Sequence, residues 1–466
     1  MALHPDRLFP IEADARAIAR RLYGEVHALP ILSPHGHTEP SWYADNAAFP
    51  DPAQLFVVPD HYIFRMLYSQ GVPLERLGVP RSDGGAVETD GRAIWRLFAE
   101  HYRLFRGTPS RLWFEHALEN VFGIEERLTA DNADTLYDRI ASALPSEAMR
   151  PRALFERFGI EAISTTDTAT DDLAQHQKIK ASGWNGRVLP TYRPDAVVDP
   201  ERPGFAEALQ KFLAMEGQPT SYAGYLEAHR RRRAYFIANG ATATDHGHPT
   251  ARTADLSPAN AAALFDIVAA GTATPEQAET FRAQMLTEMA RMSVADGLVM
   301  QIHPGSVRNH NAALFARFGF DKGADIPGPT GYVQALKPLL DAVGNEKGLT
   351  IILFTLDETA YSRELAPLAG HYPALRLGPP WWFFDSPEGM RRFRETATET
   401  AGFYNTVGFN DDTRAFLSIP ARHDMARRVD CAYLARLVAD YRLDEDEAKE
   451  VAHDLAYRLA KNAYRL

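Results

Sequence analysis

The stretch from Ala28 to His37, ALPILSPHGH, is an apolar run that stops at two histidines separated by one glycine. In an extended backbone, residues i and i+2 point to the same side, so His35 and His37 can reach one cation. A chain with 16 histidines also places two close together by chance. The rest of the chain decides between these readings. Thr165, Thr166 and Asp167 follow the run IEAIS, and Arg193 sits in TYRPD after RVLP. Asp245 and His246 close GATATDH, while His303 closes LVMQIH and leads to Arg308. Trp381 and Trp382 come after ALRLG, and Asp411, Asp412 and Arg414 come after YNTVGF. Each has an ordinary explanation: a core histidine for His303, a surface ion pair for Arg193, packing for the tryptophans, a helix cap for Asp411 and Asp412. Those explanations do not account for why all of them fall just beyond the ends of aliphatic runs. No Gly-x-Ser-x-Gly elbow or phosphate loop competes for the role.

The elements that must position these residues are legible. Short β-branched or aliphatic runs occur near Leu29, Ile160, Arg187, Gly240, Leu298, Thr350, Ala374 and Tyr404. Stretches with helical periodicity, such as PEQAETFRAQMLTEMARMSVADG, separate them. Eight strand–helix units predict an α/β fold, a (β/α)8 TIM-like barrel, whose catalytic groups belong at the C-terminal ends of the strands. No Gly-x-Gly-x-x-Gly follows the first strand, which weakens a dinucleotide-binding sheet. From about Glu39 to Arg152 the texture is helical and aromatic, as in AIWRLFAEHYRLFRG. The expected organisation is therefore a barrel over 1–38 and 153–466, with a helical insertion over 39–152 after the first strand and above the barrel mouth.

Composition bounds the function. With 45% hydrophobic and 24% charged residues over 466 positions, the chain has ample core. A net charge of −11 argues against nucleic acid or an anionic membrane as partner. The run His229-Arg230-Arg231-Arg232-Arg233 follows a helix-like segment and reads as a solvated face. Cys431 is the only cysteine, so no intrachain disulfide forms and a reducing compartment is expected. The N-terminal segment lacks the apolar core of a signal peptide, and no run approaches the ~20 residues needed to cross a bilayer. A cytoplasmic location is expected.

His-x-His at the first strand with a lone Asp at the eighth resembles the amidohydrolase superfamily, which builds metal sites from those positions. The chain departs from the two-metal pattern, because no lysine ends the third or fourth strand to be carbamylated and bridge two ions. The resemblance thus implies one divalent ion, zinc, on His35, His37 and Asp412. SPHGHTEP, DHYIFRML, YRPD, TDHG, IHPGSVRNHN, GPPWWFFD and GFNDDTRAFLS together resemble the uronate (glucuronate) isomerase family, from near residue 25 to the C-terminus. That resemblance implies interconversion of D-glucuronate with D-fructuronate and of D-galacturonate with D-tagaturonate. It implies that His61 and Tyr62 reach over the barrel mouth, and that Arg193, Asp245, His303, Arg308, Trp381 and Arg414 bind the substrate.

The chemistry needs these residue types. A uronate carries a permanent carboxylate, for which arginines and a metal are suitable receptors. Moving a proton from C2 to C1 through an enediol needs a base, a group polarising the carbonyl and a relay between the oxygens. Asp412 is the expected base, with Arg414, Tyr62 or His61 near the oxygens. The rival is a mononuclear metal hydrolase, a deaminase or deacetylase, which has less need for three rim arginines. A non-catalytic sugar-acid binder calls for neither a metal nor a rim aspartate. The aromatic insertion helices could serve a homo-oligomer interface or simply cover the barrel.

Overall fold

The structure, a computed structural model, describes residues 3–466. Met1 and Ala2, the start of the segment read as lacking a leader, lie outside the described residues. Among the described residues no helix is long and apolar enough to cross a membrane.

Seven of the eight strand positions are regular. They are Ile31–Ser33, Ile160–Ser164, Arg187–Leu189, Ala243–His246, Val299–Ile302, Ile351–Leu353 and Leu375–Leu377. All pair in parallel with their sequence neighbours, directly or through short continuations. The second and third strands break and resume as Asp167–Thr168 and Tyr192–Arg193. Across the break, Thr165 N–H donates to Leu189 O (2.9 Å) and Asp167 N–H to Thr191 O (3.0 Å). The two sheet segments are therefore one parallel succession. The eighth position is reduced to a single bridge between Leu377 and Thr406, held by Leu377 N–H to Asn405 O and Val407 N–H to Leu377 O. Gly402 and Gly408, both at positive φ, turn the chain on either side and limit its length. Beyond it, His37 N–H donates to Thr413 O (3.1 Å), which brings the segment after the last strand back to the segment after the first. This is the α/β succession of a (β/α)8 fold.

The central strands are buried on both faces, as crossover helices require, so Val299-Met300-Gln301-Ile302 and Ile351-Ile352-Leu353 read as continuous buried runs. Helix Pro275–Asp296 lays Met285, Leu286 and Met289 against them. From Pro40 to Arg157 every regular element is helical. This block builds its own apolar cluster around Trp95, Phe98, Phe114 and Leu118, continuous with Ile31, Ile160 and Ile163 of the first two strands.

The basic run is half corrected. It lies on helix Tyr222–Ala238, and only Arg230 and Arg231 face solvent, beside Glu227. Arg232 and Arg233 are buried. Arg233 pairs with Asp296 (2.5 Å) and bonds Ser293 Oγ (2.9 Å), while Arg232 Nε donates to Ala169 O (2.9 Å). His229, three to four residues earlier, shares that inner face and contacts the Tyr192 hydroxyl at 2.7 Å.

Candidate active site

A cavity of about 640 Å³ opens past the C-terminal ends of the strands. All eleven residues expected to work there line it: His35, His37, His61, Tyr62, Arg193, Asp245, His303, Arg308, Trp381, Asp412 and Arg414. His246 and Asp411 do not. Strand alternation turns His246 away from its neighbour Asp245, to Thr244 Oγ1 at 3.0 Å. Asp411 faces His423 behind the site, at 3.1 Å.

On the cavity floor, Asp412 Oδ1 lies 3.5 Å from His35 Nε2 and 3.2 Å from His37 Nε2. The His303 ring stacks on those of His35 and Phe354, with Trp381 at its edge. One ligand atom from each of His35, His303 and Asp412 falls within 4.8 Å of the others, while His37 stands beside Asp412 outside that trio. His303 Nε2 is buried with no hydrogen-bond partner. Its Nδ1 is 2.7 Å from Asp245 Oδ1, the carboxylate–imidazole pairing that orients metal-bound histidines. The donor set fits a divalent cation. Burial alone would raise the Asp412 carboxyl, but the imidazoles of His35, His37 and His303 outweigh it and hold the group ionised, far below the usual carboxylate range. Burial also favours neutral imidazole at His37 and His303, the protonation state a ligand needs.

One wall is a relay of charge. Arg193 Nε donates to Asp195 Oδ2 (2.7 Å), and its Nη1 lies 3.2 Å from Asp245 Oδ2. The opposite wall comes from the helical block. Asp60 caps helix His61–Tyr68 by accepting from Tyr62 N–H (2.8 Å). This presents His61 and Tyr62 to the cavity. Burial, reinforced by Arg414, pushes His61 down to about 3, so its imidazole is neutral. The Tyr62 hydroxyl donates to Asp385 Oδ2 (3.0 Å) and to Trp382 O (3.2 Å). Asp385 Oδ2 also accepts from Arg422 (2.6 Å), whose guanidinium lies 3.5 Å from the centre of the Trp113 ring.

Four non-glycine residues around the cavity adopt left-handed backbone: Asn309, Asp321, Trp382 and Asp412. For a bulky residue such as Trp382 this costs about 1–3 kcal/mol, which the surrounding contacts must offset. Trp382 O accepts from the Tyr62 hydroxyl and from Asp385 N–H, and Asp385 is in turn fixed by its ion pair with buried Arg422. Asp385→Asn leaves a buried guanidinium without its counter-charge. It is expected to cost about 3–5 kcal/mol of unfolding free energy, measured by urea titration. A loss under about 1 kcal/mol would show that Arg422 is neutralised elsewhere.

The sequence left several cavity or support residues without a role. Asp195 and Asp385 close the quoted motifs YRPD and WWFFD, so their positions were visible and only their partners were not. Asp321, Asp325 and Arg422 gave no signal. Asp321 and Asp325 lie in an aperiodic excursion after the fifth strand, and Arg422 is a buried cation within helix Ile419–Ala439.

Known proteins share this fold and much of this sequence. A family model for glucuronate isomerase matches residues 12–464. A uronate isomerase of Brucella canis is 70% identical over 466 residues, covering all of both chains. The crystal structure of glucuronate isomerase from Caulobacter crescentus superposes with a TM-score of 0.98 at 61% identity, covering 100% of this chain and 97% of that one. That of a uronate isomerase from Thermotoga maritima gives 0.93 at 26% identity, covering both chains fully. With a family match over nearly its whole length and relatives this similar from end to end, the chain belongs to the glucuronate isomerase family.

Proposed function

We propose that this protein is an aldose–ketose isomerase of hexuronates. It interconverts D-glucuronate with D-fructuronate and D-galacturonate with D-tagaturonate by moving a proton between C2 and C1 through an enediol. The observation that carries the reading is the pairing of two features in one cavity: a His/Asp donor set on the floor, and guanidiniums of Arg308 and Arg414 facing a carboxylate above it. A neutral substrate needs no such receptor.

Asp412, ionised and facing the open cavity, takes the proton from C2 and returns it to C1. Arg414, two residues on, together with Tyr62 and neutral His61, hydrogen-bonds the O1 and O2 oxygens as their protons and charge redistribute. Tyr62 accepts from a sugar hydroxyl while donating to Asp385, so the proton gained there has a carboxylate behind it. Arg193, Asp245 and His303 form a fixed chain that orients the floor, and Trp381 closes over the sugar's C–H face and excludes water. Arg308, on the rim, faces the sugar acid's carboxylate. His35, His37 and Asp412, with His303 as a further donor, would hold one divalent ion, zinc by the mix of imidazole and carboxylate. When bound, the ion supplies Lewis-acid polarisation of substrate oxygens. Residues 39–152 act as an insertion over a barrel formed by 1–38 and 153–466. The supporting observation is that its helix His61–Tyr68 supplies two cavity residues.

The test is to remove metal with a chelator and follow ketouronate formation from glucuronate. Turnover should fall to background and return with about one zinc per chain. Full turnover in the stripped protein, or a requirement for two ions with a modified lysine in the mass spectrum, would contradict the reading.

A further inference from the structure

Arg422 is buried in helix Ile419–Ala439 behind the cavity, and it bonds more than charge balance requires. Pairing with Asp385 Oδ2 (2.6 Å) is enough to neutralise it. The same Nη1 also donates to Asp411 O (3.1 Å), and Nε donates to Ser418 Oγ (3.2 Å). Those two acceptors bracket the segment that carries Asp412 and Arg414 into the cavity. A third fixed point lies between them, where His37 N–H donates to Thr413 O (3.1 Å). Asp412 sits there in left-handed backbone, φ 39°, so the aim of its carboxylate depends on what holds its neighbours. The guanidinium reaches the other wall as well. Asp385 Oδ2 is the oxygen that accepts from the Tyr62 hydroxyl (3.0 Å), and the centres of the Tyr62 and Trp113 rings lie 5.2 and 3.5 Å from the guanidinium carbon.

We propose that Arg422 is a positioning residue that sets the separation of Asp412 and Tyr62, and with it the rate of proton transfer between C2 and C1. This rests on the reading of Asp412 as base and Tyr62 as partner of the substrate oxygens. The two come from distant parts of the chain, Asp412 from the segment after the eighth strand and Tyr62 from the helical block. Both must hold their places against the same few atoms of an enediol, where a misplacement of about 1 Å costs on the order of a hundredfold. Separate anchors would let the two walls shift independently. Arg422 is one rigid, planar group that touches the supports of both, so the walls move together or not at all. Arg308, which faces the substrate's carboxylate, has its own anchor in Asp325 (2.8 Å). Affinity is therefore set elsewhere, and Arg422 acts on the chemical step.

The test uses the full-length, zinc-saturated protein with Arg422→Lys and, separately, Ser418→Ala. Lysine keeps the positive charge beside Asp385 but, with a single donor atom, cannot span Asp385 and Ser418 together. Ser418→Ala leaves the buried ion pair intact and removes the Nε anchor, so it supplies the readout if lysine disrupts folding. Calorimetric titration with the C1-reduced hexuronate, which cannot isomerise, gives Kd and counts the binding-competent sites, and kcat is expressed per titrated site. Arg422→Lys should lower kcat per site by about tenfold to a hundredfold and Ser418→Ala by about two- to fivefold, with Kd within about twofold of wild type. The isotope effect on kcat with C2-deuterated glucuronate should stay at or above the wild-type value, because the slowed step is the proton transfer. A purely structural role lowers the number of sites and leaves kcat per site unchanged, and that result would overturn the proposal. So would a loss confined to Kd, or an isotope effect smaller than that of wild type. Wild-type protein that neither binds the reduced hexuronate nor turns over a hexuronate would instead remove the cavity reading, and the proposal with it.

Discussion

Asp412→Asn is expected to lower hexuronate turnover by about 10²–10⁴ even with added zinc saturating the site, the usual worth of a positioned general base. The substitution keeps the shape of the side chain and one acceptor oxygen, but it removes the charge and the basicity. The structure sharpens the expectation, because among the described residues Asp412 is the one carboxylate that both faces the open cavity and touches His35 and His37. The control is His35→Ala, which should lose activity mainly through lost metal and regain part of it at high zinc. If metal-saturated Asp412→Asn keeps more than about a tenth of the wild-type rate, Asp412 is a ligand at most. The search for a base then narrows to Asp245 and His303. Asp411, its neighbour along the chain, is turned toward His423 behind the site.

Glucuronate should exceed glucose in kcat/KM by about 10²–10⁴. Two charge-assisted contacts to the carboxylate, one from Arg308 and one from the divalent ion held on the cavity floor, contribute roughly 1.5–3 kcal/mol each, and 1.4 kcal/mol is a factor of ten. Arg193 and Arg414 are not counted: Asp195 and Asp245 hold Arg193 in the cavity wall, and Arg414 serves the O1 and O2 oxygens, which glucose shares. The measurement is initial rate against concentration for the two sugars under identical zinc. A ratio under ten would mean that Arg308 serves the fold rather than the substrate.

The fold was legible because the aliphatic runs are short, mostly buried and separated by stretches of helical periodicity, so every strand position announces itself. The eighth run, YNTVGF, was located correctly although only one bridge forms there. The cavity residues were legible because they follow those runs directly, and position along the chain then equals position in space. Two kinds of information were hidden. Alternation within a strand decides that Asp245 faces the cavity and His246 does not, and this requires knowing the last residue of the strand to within one place. Long-range partners decide the rest. Arg422 finds Asp385 across 37 positions, and Arg414 finds Asp321 through a loop without periodicity. The arginine run hid its buried half for a similar reason. Asp296, which neutralises Arg233, is 63 residues away.

The most direct test of the central claim is a single proton NMR experiment on the zinc-loaded protein. A mixture of glucuronate, glucose and a panel of simple amides and esters is followed over time. The account predicts that the anomeric signals of glucuronate decline while ketouronate C1 methylene signals grow, with the other components unchanged. An unchanged glucuronate spectrum while an amide or ester is cleaved would contradict it and leave a metal hydrolase in its place.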